Sequence, residues 1–168
     1  MAGDKPELQH VAIARKYIGL TEKGNTNRHP TIDAWVMDLA GAWLLGQPWC
    51  GTFLAAVYKE MGLLSKVPKD FYRARSWEKA GTPLTKPAYG CIVTFTREGG
   101  GHVGLVVGKT KSGLLKVLGG NQSNAVNIQD FDPKRVTSYR WVSVGDAPLP
   151  SRYDLPVLPA GKISKNEA

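Results

Sequence analysis

The sequence predicts an α+β fold in one domain, and three observations carry that prediction. Helical periodicity fills the first half of the chain, an alternation of period two fills the second, and the change falls after Gly81. The length of 168 residues and 42% hydrophobic content are enough for one sizeable core, and 21% charged residues fit a soluble globular chain.

Residues 7–18, ELQHVAIARKYI, carry Leu8, Val11, Ala12 and Ile18 at roughly helical spacing, and Gly19 supplies a stop. His10 in this helix reads as a solvated surface residue, as does His29 in the polar loop TEKGNTNRHP. The next segment, TIDAWVMDLAG, sets Ile32, Trp35, Val36 and Leu39 on one face of a second helix that ends at Gly41. In QPWCGTFLAAVYKEMGLL, residues 47–64, the series Cys50, Phe53, Leu54, Val57 and Met61 follows i, i+3, i+4 spacing, with Pro48 before it and Gly62 after. Cys50 therefore belongs to the first turn of a third helix. A fourth helical piece is predicted around DFYRARSWEKAG.

From Tyr89 the segments YGCIVTFT, HVGLVVGKT, GLLKVLGG, AVNIQDF and VTSYRWVS are short and rich in β-branched and aromatic residues. They predict an antiparallel meander of about five strands. The third helix must pack on this sheet to bury its apolar face, which turns Cys50 toward strand residues. Residues 1–145 form the domain; residues 146–168, rich in proline and without periodicity, read as an extended or disordered tail.

The composition excludes several functions. Two cysteines, Cys50 and Cys91, are too few for a disulfide scaffold, and neither stands in a cluster with zinc spacing, so neither metal nor cofactor is expected. The first residues lack the apolar segment of a cleavable export signal and no stretch is long enough to span a bilayer. A chain made in the cytoplasm and not embedded in a membrane is expected. The net charge of +8 and pI near 9.6 favour a polyanionic partner, with nucleic acid, acidic lipid and an anionic cell wall all open on charge alone. GGGHVG at 99–104 spells a dinucleotide motif, but strand residues follow where a helix is required. The Gly108-Lys109-Thr110 match to a phosphate-binding loop fails for the same reason, and no GxSxG elbow is present.

Cys50 is the residue with chemical promise. At a helix N-terminus the dipole and unpaired N–H groups favour thiolate, and the Cys50 amide is placed for an oxyanion; the alternative is a small apolar residue facing the core. A cysteine nucleophile needs a base and a group that orients it. His102, after the triple glycine and at the head of a strand, is the candidate base, and Asn121, at the end of the next strand, is the candidate orienter. Cys91 reads as a strand residue packed inward.

Together PWCGTF around Cys50, ARSW at 74–77, GHVGLVVG at 101–108 and VLGGNQSNAVNI at 117–128 resemble the CHAP and NlpC-type branch of the papain-like cysteine peptidases, over about residues 8–143. The resemblance implies a papain-like fold and a peptidoglycan amidase or endopeptidase with Cys50 as nucleophile, His102 as base and Asn121 as orienter. Many CHAP members carry glutamate where this chain has Gly119, and relatives commonly carry Gly-Asp where it has Gly90-Cys91. Gln47 stands upstream of the nucleophile as an oxyanion partner, and Trp43, Trp49 and Trp77 are candidates to line a groove for wall peptide or sugar. Peptidoglycan is then the partner. A phage lysin or a secreted effector, the latter with an immunity protein, would bring such a chain to the wall. The alternatives are a non-hydrolytic wall-peptide binder of the same fold and a basic nucleic-acid-binding module; no basic helix or aromatic platform supports the latter, and no nucleic acid is expected as partner.

Overall fold

The computed structural model describes residues 6 to 165; residues 1–5 and 166–168, the outer ends of the expected domain and tail, lie outside the described residues. Three α-helices come first: α1 (Gln9–Lys16), α2 (Pro30–Leu39) and α3 (Cys50–Glu60). Six strands follow: β1 (Thr82–Leu84), β2 (Ile92–Arg97), β3 (Gly100–Lys109), β4 (Leu115–Gln122), β5 (Ala125–Phe131) and β6 (Val136–Trp141). They form one antiparallel sheet in the order β1-β6-β2-β3-β4-β5. The fold is α+β as predicted, with one strand more than expected. The added strand, Thr82-Pro83-Leu84, is short and interrupted by proline, so it leaves no alternation to read. The fourth helical piece is a 3-10 helix, Ala74–Lys79, where the indole of Trp77 donates to the carbonyl of Phe71 at 2.9 Å and tightens the turn.

Two histidines differ from expectation. His10 is fully buried: its Nε2–H donates to the carbonyl of Gly90 at 2.8 Å and its ring stacks on Tyr58 at 5.4 Å. A neutral imidazole is a flat, largely apolar ring once a ring nitrogen is satisfied, so it joins Val11, Ile13 and Ala14 on the buried face of α1 while Ala12 is exposed. His29 is half-buried and caps α2, its Nδ1 accepting the N–H of Thr31 at 3.0 Å.

Strand alternation sorts the core into two faces. Ile92, Val103, Leu105 and Leu118 pack with Phe53, Leu54 and Val57 of α3. Val93, Phe95, Val106, Val117 and Phe131 turn to the other face. Truncating Phe53 to alanine would cost about 3–5 kcal/mol and loosen the seat of α3.

Residues 146–165 are tied to that second face. After a 3-10 turn, Pro150–Tyr153, the chain runs past β3 and β5, bridging Lys109 to Val157 and Asp130 to Ile163. Tyr153 and Leu155 cover the apolar cluster. Lys116 and Asp130, buried and 2.6 Å apart, clasp this strap: Lys116 Nζ also donates to Pro159 O, and Asp130 Oδ2 accepts the N–H of Gly161. Among the described residues no helix is long and apolar enough to cross a membrane.

Candidate active site

Cys50 is the first residue of α3, and no side chain caps that helix. The N–H groups of Cys50 and Gly51 reach the sulfur instead, together with the N–H of Val103 in β3. Gly51 lets the start of α3 pass against the backbone at Phe71, since a Cβ there would stand 2.0 Å from the carbonyl oxygen of Phe71. The thiol is 6% exposed and borders a groove of about 620 Å3 whose walls include Trp43, Gln47, Tyr72, Arg73 and Arg97. Burial pushes its pKa above the ordinary thiol value; the Val103 N–H, the charge of Arg97 and the two helix N–H groups oppose the rise without cancelling it. The resting form is the neutral thiol.

The sulfur therefore meets β3 one residue beyond His102. The His102 side chain itself is 1% exposed and packs on aromatic rings of the second cluster. Its ring stacks on Phe131 at 5.4 Å with planes 5° apart and on Phe95 at 6.2 Å. Nε2 lies 3.0 Å from Oε1 of Gln122. The Gln122 amide nitrogen donates to Val117 O, Asn127 O and Asn127 Oδ1, which fixes which end of the amide faces the ring. An oxygen can only accept, so Nε2 carries the hydrogen and, in the neutral ring, Nδ1 carries the lone pair.

The carboxamide on Nε2 of the ring is thus Gln122, one residue beyond Asn121, the expected orienter. The cause is a bulge. The β4–β5 register shifts between Gly119 and Gln122, and Asn121 takes a left-handed conformation with φ of 59°. Plain alternation from Gly119 would put residue 121 on the ring's face; the bulge passes that place to residue 122. Asn121 is 2% exposed, and its Oδ1 has no hydrogen-bond partner among the described residues. Gly119 is part of the same solution, because a Cβ there would stand 2.4 Å from Gln122 Oε1. A side chain at position 119 would occupy space that the glutamine uses.

The other expected residues divide. Gln47 is exposed on the groove wall, and Trp43 stands there 63% exposed, edge-on to Tyr72 at 5.2 Å. Trp49 and Trp77 are fully buried and belong to the core, not to the groove. The Trp49 indole donates to Glu22 Oε1 at 2.9 Å, and Glu22 Oε2 accepts the N–H of Asn27, so a buried carboxylate ties the 19–28 loop to the start of α3. Cys91 is fully buried in the second cluster.

Sequence reasoning missed Gln122, Glu22 and the arginines of the groove. Only Gln122 left a signal: a double glycine followed by Asn-Gln is composition suited to a bulge. Among the described residues no three His, Cys, Asp or Glu side chains come together as a metal site. No family model, curated protein or solved structure matches the chain.

Proposed function

We propose that the protein is a cysteine-dependent hydrolase of an amide bond in bacterial cell-wall peptide. The observation that carries this reading is one constellation: a thiol at the first turn of α3, at the backbone beside His102, whose ring is held by a fixed carboxamide. The substrate class comes from the resemblance in PWCGTF and GHVGLVVG and from a groove with exposed aromatic and cationic walls.

In this mechanism the neutral thiol gives its proton to His102 Nδ1 as the sulfur attacks the amide carbon, forming the C–S bond. The oxyanion draws on the Cys50 amide and on Gln47 at the groove wall. The imidazolium, stabilised through Nε2–H on Gln122, returns the proton to the departing amine as the C–N bond breaks. Water, deprotonated by the same ring, then attacks the thioester and releases the acid and the thiol. Burial of the thiol favours a second reading, a binder of wall peptide without turnover.

Incubation with purified sacculi separates the two. The wild type should release soluble muropeptides, Cys50→Ala should lose release by about 10³-fold or more, and Cys91→Ala should retain most of it. Release by Cys50→Ala at the wild-type rate would discard the nucleophile. Product masses assign the bond, at the sugar-linked alanine or within the stem. Delivery across the membrane, by holin-assisted lysis or by injection with a cognate immunity protein, is read from the coding neighbourhood.

A further inference from the structure

The groove beside Cys50 is cationic in a specific way. Of its arginines, Arg75 is engaged, with Nε and one terminal nitrogen on Glu78 at 3.0 and 3.3 Å. Arg97 is half-buried and anchored at one point only: its Nε donates to the carbonyl of Gly101 at 2.9 Å. Among the described residues its two terminal nitrogens have no hydrogen-bond acceptor, and no residue lining the groove is acidic. Arg73 stands on the same wall with its guanidinium 6.0 Å from the centre of the Tyr72 ring. Arg97 is also near enough to the sulfur for its charge to lower the thiol's pKa.

A guanidinium fixed through Nε and open at both terminal nitrogens presents the planar fork that pairs with a carboxylate through parallel hydrogen bonds. Solvating water alone would be served as well by a lysine on the rim. Because Arg97 and Cys50 line the same groove, whatever pairs with the fork is held in the groove where the attacked carbonyl must sit. Resting on the hydrolase reading for the identity of the bond, we infer that Arg97 is a specificity residue that accepts a free carboxylate next to the scissile amide. The preferred substrate is an acidic peptide, and Arg73 continues the anionic track along the groove.

The test uses pairs of disaccharide–peptide fragments whose peptide carboxylates are either free or converted to primary amides. Cleavage by the wild-type protein is followed together with calorimetric binding to the Cys50→Ser protein. The free acid should exceed the amide by about tenfold in kcat/KM and in affinity, the value of one charge-assisted pair. Arg97→Gln should erase that preference, with both fragments cleaved at one reduced rate because the thiol also loses a charge that lowers its pKa, and Arg97→Lys should restore only part of the preference. Equal handling of the two fragments by the wild type, or a preference that survives in Arg97→Gln, overturns the inference and leaves the hydrolase intact. Selective binding of the free acid without any cleavage keeps the carboxylate site and removes the hydrolase.

Discussion

The molecule contains two places where a cysteine and a buried histidine are linked through neighbouring backbone, Cys50 to Val103 beside His102 and His10 to Gly90 beside Cys91, and they have opposite characters. At the start of α3, the Cys50 sulfur meets three backbone N–H groups and the field of Arg97, and it borders a groove. Further along the same helix, Tyr58 stacks on His10, His10 donates to the carbonyl of Gly90, and Cys91 follows in sequence. There burial pushes the thiol up to about 12. The residue types match and both sulfurs have backbone N–H groups nearby, yet only Cys50 has an arginine charge beside it and a groove at its border. Reactivity at a cysteine is thus decided by what surrounds the sulfur rather than by the presence of an imidazole.

The widest separation between the two comes from the histidines. His102→Ala should lower sacculus hydrolysis by about 10³-fold, the usual worth of a positioned acid–base group, while His10→Gln should lower thermal stability and leave the rate per folded molecule unchanged. A smaller contrast lies within β4. Gln122→Ala should cost about tenfold in kcat/KM, the rate equivalent of one hydrogen bond, whereas Asn121→Gly, which suits the left-handed backbone, should stay near wild type. Activity lost in Asn121→Gly but kept in Gln122→Ala would return the orienting role to Asn121. Next in size is alkylation: at about pH 8 iodoacetamide should label Cys50 in the native protein and reach Cys91 only after unfolding, as read by peptide mass.

The smallest effect is on stability against pH. Burial holds His10 below its ordinary 6.5, so the unfolded chain takes up the proton first. Its contribution is complete above 6.5 and is withdrawn as pH falls through that value toward the lower folded one. Urea unfolding from about pH 7.5 to about pH 5 should show declining stability, with a flatter decline in His10→Gln.

Local pattern was enough to find the frame of the site. Period 3.6 put Cys50 in the first turn of α3, and period two put His102 at the head of β3. What the pattern missed is non-local. The bulge at Asn121 depends on how β4 meets β5, so the residue facing the imidazole was displaced by one. Trp49 and Trp77 sit beside groove segments in sequence, but their indoles found buried acceptors in Glu22 and Phe71, which no spacing announces. Arg97 reaches the groove wall only because the β2–β3 turn folds beside the start of α3, which local pattern does not show. The strap escaped notice because it is tied mainly by backbone bonds, which are indifferent to side-chain period.

That strap has a consequence for the edge of the sheet. β5 is the last strand of the sheet, and its outward backbone is engaged at one end by Leu20 and Thr21 and at the other by Lys162 and Ser164. Little of that margin remains unpaired, so the segment from Gly145 onward shields part of a strand edge as well as covering its own oily face.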